Sequence, residues 1–587
     1  MTDSVPLRHA RTVVEGPPPA TGSAILRRTV RRHRARLIGS SMLFGVHQLC
    51  ETMVPVAIGL IVSRAIDTGD VTAMIVSLIG LAALFVTLSY AWRIGARIIV
   101  VAIEREAYLV RIEVAGRVLD PRGLRTELSS GELLTVSTSD AEKESWILDL
   151  IARVFSSTVA VVASAVALLI IDIPLGLAVV IGTPVILIAL QRLAPLLTRA
   201  ATAQQAEIAG VSGMATDLVS GVRPLRGIGA ENAATQRFVT SSRTALAATL
   251  KLARANNVYQ GLAAAVNALL AVGIAGTAGW FALQGRISVG ELITVIGLSQ
   301  FVIEPLTGLS RIPGVVAMVR GSADRLALVL GAEHVLPQSE SAVPVGTELT
   351  VDDVRFRSLD GLAFRAVPGE LLGVVAYRPQ DGEAIAALLS GQVSESDYTG
   401  TVSIGGIPTG RIDLRRARET VLVEPHLTDL FAGTVRSNVT AGRERPEAEL
   451  DRVLQASAAT DVVELHEAGL DHAVTDRGAS LSGGQRQRVA LARALSVDAP
   501  VLVLHDPTTA VDAVTEHAIA RGVAELRHSE AASQTTILIT TSPALLSVTH
   551  RVLVVDDGRV VAEGTHHDLA SSDTQYTAAK YRETVLR

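Results

Sequence analysis

Long apolar runs constrain this 587-residue chain more than any other feature. The runs 37–62, 75–90 and 154–171 read as crossings of a hydrocarbon core roughly 30 Å thick. Further runs near 175–190, 261–283 and 292–319 bring the expected total to about six. A core helix of a soluble protein rarely stays apolar on every face for so long. The first part of the chain therefore reads as a membrane bundle, and composition changes near residue 330 to that of a soluble α/β domain.

Arginine placement sets the expected orientation. Arg27, Arg28, Arg31, Arg32, Arg34 and Arg36 precede the first run, which predicts a cytoplasmic N-terminus. Basic residues gather again at 93–125 and 192–237, whereas the alternate loops near 67–70, 172 and 284–291 hold few. Six crossings return the C-terminal domain to the cytoplasm, where ATP is. A formal net charge of −5 gives no support to nucleic acid as a partner. The first run is too long for a cleavable signal peptide, and no small-residue cleavage site follows it. The single cysteine, Cys50, excludes an internal disulfide framework. The expected division is a disordered tail over 1–24, a membrane domain over 25–330, a linker over 331–344 and an α/β domain over 345–587.

Strand patterns occur at 348–356, 370–376, 421–423, 501–504, 536–539 and 551–555, and helices at 411–419, 448–458 and 482–495. Alternating strands and helices predict a largely parallel sheet with helices on its faces. Into this pattern falls Leu481-Ser482-Gly483-Gly484-Gln485, continuing as Arg486-Gln487-Arg488-Val489-Ala490-Leu491-Ala492-Arg493-Ala494-Leu495. All fifteen residues resemble the signature motif of ABC transporter ATPases. The stretches 131–140 and 217–231 are similar to the cytoplasmic extensions through which exporters of that family touch their ATPase. The resemblance covers about residues 25–585. It implies a six-helix membrane domain fused to a P-loop-type nucleotide-binding domain, placed in a bacterial inner membrane with both termini cytoplasmic.

In that family a strand leads into a glycine-rich loop whose backbone amides wrap phosphates, followed by a lysine and a Mg²⁺-binding hydroxyl. Here the strand is followed by Ala376-Tyr377-Arg378-Pro379-Gln380-Asp381-Gly382-Glu383. The resemblance, aligned without gaps, puts Gly382 at the lysine and Glu383 at the hydroxyl. The chain has only three lysines, Lys143, Lys251 and Lys580, and none is near this loop. Pro379 removes an amide. Asp381 and Glu383 set carboxylates against a polyphosphate, where like charges at about 4 Å cost on the order of 1 to 4 kcal/mol. His505 falls at the Mg²⁺-binding aspartate, and imidazole is a poor Mg²⁺ ligand. Asp506 falls at the catalytic glutamate, Asp512 in the stretch that follows, His426 at the family's glutamine, Thr541 at its switch histidine and Ser358 at the adenine-stacking aromatic. No intact catalytic or metal site is expected within this chain.

In the family's head-to-tail dimer each nucleotide lies between one subunit's phosphate loop and the other's signature. Ser482, Gly483, Gly484 and Gln485 are therefore expected to cap ATP held with Mg²⁺ by a second half-transporter that keeps both Walker motifs. The resemblance implies a heterodimer that moves an unknown substrate across the bilayer, most simply by export. Two alternatives stay open: an exporter-shaped importer, as for siderophores, and a silent regulatory membrane subunit. Within the membrane, His47 and Glu51 share a helical face beside Gln48. Intramembrane ionisable groups face a cavity or a partner, so these serve a substrate path, a protonation switch or an interhelical hydrogen bond. Gln300 and Glu304 form a similar pair, although Glu304-Pro305 also resembles a common helix pattern of the family.

Overall fold

The computed structural model of the chain describes residues 21–66, 70–337, 342–344, 346–426, 429–529, 534–572 and 575–576. Most of the expected tail, through residue 20, and part of the expected linker, 338–341, lie outside the described residues. Contacts divide the chain into two units, Met1–Val118 with Thr126–Ala332, and Leu119–Arg125 with Glu333–Arg587.

The first unit is helical: α1 Gly22–Arg32, α2 Arg34–Ile61, α3 Val71–Val118, α4 Ile147–Ile171, α5 Ile173–Ser220, α6 Glu231–Leu283, α7 Val289–Phe301 and α8 Ile312–Gly331. Helix α1 starts inside the segment read as tail, because the Thr21 hydroxyl accepts from the Ala24 amide and caps it. Five helical stretches among the described residues are long and apolar enough to cross a membrane: Arg34–Arg64, Val71–Val118, Ser130–Ile171, Glu231–Leu283 and Val289–Gly331. The expected sixth is a shorter apolar stretch, Ile173–Ile186. It opens α5, which runs on unbroken through Pro184, and the sequence turns polar at Gln191-Arg192. Helices α3 and α6 have 48 and 53 residues. At 1.5 Å per residue they run about 70–80 Å and must extend well beyond the hydrocarbon. Helices α2 and α7 meet at Gly59 and Gly290, where a Cβ on either would strike the other's carbonyl oxygen. Such small-residue contact replaces the hydrophobic drive that lipid does not supply.

The two ends of this unit carry different electrostatics. Between α4 and α5 lies Asp172, and Arg286 from the α6–α7 connection pairs with it at 2.7 Å. At the other end Glu106 of α3 is fully buried and meets Arg32 at 2.9 Å and His33 at 2.9 Å. Arg28 grips Glu113 with two 2.8 Å bonds. Thr29 Oγ1 stands 3.2 Å from Glu106 and 2.7 Å from Glu144, which is also fully buried. One hydroxyl hydrogen cannot fully serve two carboxylates. Arg32 and His33 supply donors to Glu106, while Glu144 Oε2 has no partner among the described residues. Thr29 Oγ1 is thus the one donor set between the two buried carboxyl groups, and it is nearer Glu144.

The second unit holds strands β1 Leu349–Phe356, β2 Leu359–Ala366, β3 Leu371–Ala376, β4 Thr399–Ile404, β5 Ile407–Pro408, β6 Val421–Glu424, β7 Gly433–Thr434, β8 Ala473–Val474, β9 Val501–His505, β10 Thr535–Ile539, β11 Arg551–Asp556 and β12 Arg559–Gly564. The main sheet runs β12-β11-β3-β10-β9-β6, parallel except for the β12 edge. A second sheet, β2-β1-β4-β5, is antiparallel. Strands β9 and β10 are buried at every residue, as is β3 up to its last, because helices cover both faces of a parallel sheet. Those helices include α9 Pro379–Leu389, α10 Glu447–Ala456, α11 Gly483–Ser496 and α12 Ala513–Arg527. Residues 119–125 join this unit by pairing with the chain after Ala332: Arg125 N–H donates to Glu333 O at 2.9 Å and Leu336 N–H to Arg122 O at 3.0 Å.

Hydrogen counting at Thr29 yields a stability test. Glu144→Gln keeps a donor toward Thr29 and should melt within a few degrees of wild type. Glu106→Gln leaves half-buried Arg32 and buried His33 without their carboxylate and should cost about 3 kcal/mol or more. Thermal unfolding of the detergent-purified protein distinguishes the two, and equal losses would refute this division of donors between Glu106 and Glu144.

Candidate functional site

The parallel order β3-β10-β9-β6 sets the carboxyl ends of four strands along one edge, where open α/β sheets bind ligands. Residues far apart in sequence meet there: 377–383 after β3, Thr541 after β10, His505 and Asp506 at the end of β9, and His426 after β6.

The segment after β3 is helical sooner than a phosphate loop allows. Strand β3 ends at Ala376 and α9 starts at Pro379, so only Tyr377 and Arg378 connect them. Proline suits a first helical position, since its missing N–H has no partner there anyway. Both connecting residues are tied to the β11–β12 turn and its strand. Tyr377 N–H donates to Val555 O at 3.0 Å, and Arg378 pairs with Asp557. Asp381 is fully buried and accepts from the Gly558 amide at 3.2 Å. The carboxylate thereby ties the first turn of α9 to the β11–β12 turn. A two-residue connection also presents no ring of amides.

Gly382 faces inward. A Cβ there would lie 3.3 Å from His505 Nε2 and 3.3 Å from Ile539 Cγ2. His505 is 8% exposed. Burial pushes its imidazole below the usual histidine range, and His426 adds to this; Asp506 and Glu383 act the other way. Its ring centre lies 5.8 Å from that of His426, and its Nε2 is 3.9 Å from Asp506 Oδ2. Among the described residues no group of three or more His, Cys, Asp or Glu could hold a metal. Asp506 has positive φ, at 47°, and its amide donates to Ile539 O at 2.9 Å. Glu383 and His426 are exposed; Ser358 lies in the β1–β2 turn, half-buried.

Residues 482–485 form a different kind of structure. Ser482 caps α11 in a capping box: its Oγ accepts from the Gln485 amide at 3.3 Å and its own amide donates to Gln485 Oε1 at 2.8 Å. Such a box fixes the first turn and leaves the other early amides of the helix without intrahelical partners. Ser482 and Gly483 are exposed. Gly484 packs on the chain itself, since a Cβ there would lie 2.6 Å from Ala510 O. Gln487, which the motif reading passed over although it lies inside the motif, clamps the following loop. Its Nε2 donates to Thr509 Oγ1 at 2.7 Å and its Oε1 accepts from the Ala510 amide at 2.8 Å. Arg493 reaches Glu424 of β6 at 2.8 Å; burial raises the Glu424 carboxyl and this guanidinium partly offsets that. Asp512, expected near nucleotide, caps α12 by accepting from the Val514 and Thr515 amides at 3.0 Å each. The Thr515 bonds hold its carboxyl below the usual range.

In the helical unit, His47 Nδ1 meets Leu88 O of α3 at 3.0 Å and Nε2 meets Glu51 at 3.4 Å. Gln48 donates to Glu51 at 3.0 Å. Glu304 lies within electrostatic range of Glu51. Gln300 and Glu304 are exposed and stand on either side of the break at Val302, not on one continuous helix.

Two family descriptions match the chain: ABC transporter transmembrane region over residues 37–306 and ABC transporter over residues 384–509. A multidrug efflux ATP-binding/permease protein of Mycobacterium tuberculosis is 29% identical over 91% of this chain. The chain covers 45% of that relative, about half its length. A mycobactin import ATP-binding/permease protein of Mycobacterium bovis is 27% identical, over 93% of this chain and 95% of its own. A solved bacterial Atm1-family ABC exporter with ATP bound superposes with a TM-score of 0.78 at 21% identity, over 94% of this chain and 98% of that one. The chain thus has the ABC exporter-type fold, with transmembrane and nucleotide-binding domains fused, and is a multi-pass membrane protein.

Restoring single residues should not restore a phosphate loop. Gly382→Lys with Glu383→Ser should leave fluorescent-nucleotide binding by this chain at background and lower its melting temperature. The lysine would start against His505 and Ile539 on a helix that has already begun. Recovered nucleotide binding would contradict the fit described here.

Proposed function

We propose, from an ABC exporter-type fold with fused transmembrane and nucleotide-binding domains, that this chain is one half of a heterodimeric transporter in a bacterial inner membrane, with both termini cytoplasmic. ATP binding and hydrolysis drive the complex to move a substrate across the bilayer, and this chain contributes its signature turn to a nucleotide held by the other half. One contrast supports this reading. The turn at Ser482 is capped, rigid and exposed, whereas α9 begins inside its own would-be phosphate loop. The match to the ABC transporter description likewise starts at 384, just past residues 376–383.

The residues 376–383, His505 and Asp506 do not fit a magnesium nucleotide. They offer a buried carboxylate, an inward-facing glycine and a desolvated imidazole. Mg²⁺ prefers oxygen donors in near-octahedral order. No chemical step is assigned to them. Ser482 keeps its hydroxyl hydrogen free while Oγ accepts from Gln485, so it can donate to an anion, and the first-turn amides of α11 can join it. Mg²⁺ and the catalytic carboxylate then belong to the second half-transporter, and hydrolysis there resets the pair. Export is the simplest direction. The importer reading draws support from the relative named for mycobactin import, which this chain matches along almost its whole length.

ATPase measurements on the lone chain and on the reconstituted pair test the assignment. The chain purified alone should hydrolyse no ATP. In the reconstituted pair, Ser482→Arg should lower the ATPase rate by about 100-fold or more, the scale of losing an oxyanion donor, while Asp506→Asn should change it by less than about twofold. A larger loss at Asp506 would invert the reading. Gly484→Asp is the poorer probe, because it collides with Ala510 of its own chain.

A further inference from the structure

The four arginines of α1 fall into two stripes with different partners. Arg28 and Arg32, one turn apart, face inward to Glu113 and Glu106. Arg27 and Arg31, also one turn apart, are exposed and have no carboxylate partner among the described residues. Arg27 reaches only Ser23. Leu26 and Val30 form the neighbouring stripe, so a cationic row and an apolar row run side by side. Together with Ile147 and Ile151 of α4, and with the paired Arg28 and Arg32 at its edge, they line an open groove of about 910 Å³ whose walls are mainly apolar. That volume is within the range of about 300–1,000 Å³ common for small-molecule sites.

We propose that this groove binds an anionic glycerophospholipid, with its headgroup on Arg27 and Arg31 and an acyl chain along Leu26, Val30, Ile147 and Ile151. Position argues for a lipid over a soluble anion. Helix α1 immediately precedes the membrane-spanning stretch Arg34–Arg64, and Ile147 and Ile151 belong to the stretch Ser130–Ile171. The groove therefore lies where chain meets headgroup layer, the depth at which an amphipathic helix buries its apolar face. A free phosphate would satisfy the guanidinia but leave the apolar walls wet. A zwitterionic lipid would fill the walls but bring no net charge to the arginines. Because Arg28 and Arg32 already hold α1 to α3, the groove is preorganised, which lowers the ordering cost of binding.

Native mass spectrometry of the detergent-purified protein, titrated with phosphatidylglycerol or phosphatidylcholine, tests this. Phosphatidylglycerol should bind more tightly, and millimolar inorganic phosphate should not displace it. Each arginine near an anionic headgroup contributes roughly fivefold in affinity, so Arg27→Gln with Arg31→Gln should weaken phosphatidylglycerol about 25-fold and phosphatidylcholine little. Arg27→Lys with Arg31→Lys keeps the charge and should keep most of the preference. Equal affinity for the two lipids, displacement by phosphate, or a loss in the lysine variant as large as in the glutamine variant would each overturn the proposal. An unchanged melting temperature in phosphatidylcholine nanodiscs verifies that the variants fold.

Discussion

Helix α9 starts three residues after β3 ends, and the chemistry of the sheet edge depends on that start. A proline at the first helical position presets φ and gives up no bonded amide. The turn between β11 and β12 then holds the junction from the side, through Arg378 with Asp557 and Asp381 with the Gly558 amide. Once the helix has begun there, position 382 points at β9 and β10, and a side chain on it would crowd the His505 ring. That ring in turn is desolvated and kept toward its neutral form. The helix start, the glycine and the histidine are thus one arrangement. Reverting any one of them leaves the other two in conflict with it.

The signature turn is independent of that arrangement. Its geometry comes from the Ser482–Gln485 capping box, of a kind in which the cap alone contributes about 1 kcal/mol, and from Gln487 holding 509–510. Arg493 extends the same helix's reach to β6 through Glu424. None of these contacts involves residues 376–383. A domain can therefore lose its own phosphate loop and still present this turn undistorted, which is the physical condition for a working site shared between unlike halves.

Much of this was legible in the sequence, and the gaps have local causes. The strands at 501–504 and 536–539 were readable because continuous apolar runs of that length suit a parallel core. β2, β4 and β12 were passed over: Gly361, Gly400 and charged residues such as Asp360, Arg559 and Glu563 dilute their alternation. The helical start at Pro379 did carry a signal, a proline followed by an alanine- and leucine-rich stretch, but the gap-free alignment to a phosphate loop overrode it. The apposition of His426 and His505 needed the order of β6 and β9, which no local pattern encodes. Glu106 and Glu144 carry no local signal of their role, because their partners on α1 lie about 75 to 115 residues away.

The polar residues of the first crossing divide along similar lines. His47 Nδ1 donates to Leu88 O at 3.0 Å and Nε2 stands 3.4 Å from Glu51. The imidazole thus bridges the Leu88 carbonyl of α3 and the Glu51 carboxyl of its own helix. Gln48 completes it by donating to Glu51 and accepting from Ser156 of α4 at 3.4 Å. These bonds tie α2 to α3 and α4, which is reason enough for polar groups at that depth, since interhelical hydrogen bonds are a common use of them. Glu304 is different. It is exposed, within electrostatic range of Glu51, and without a hydrogen-bond or ion-pair partner among the described residues. An unpaired carboxylate in a crossing segment is costly unless water or a ligand reaches it.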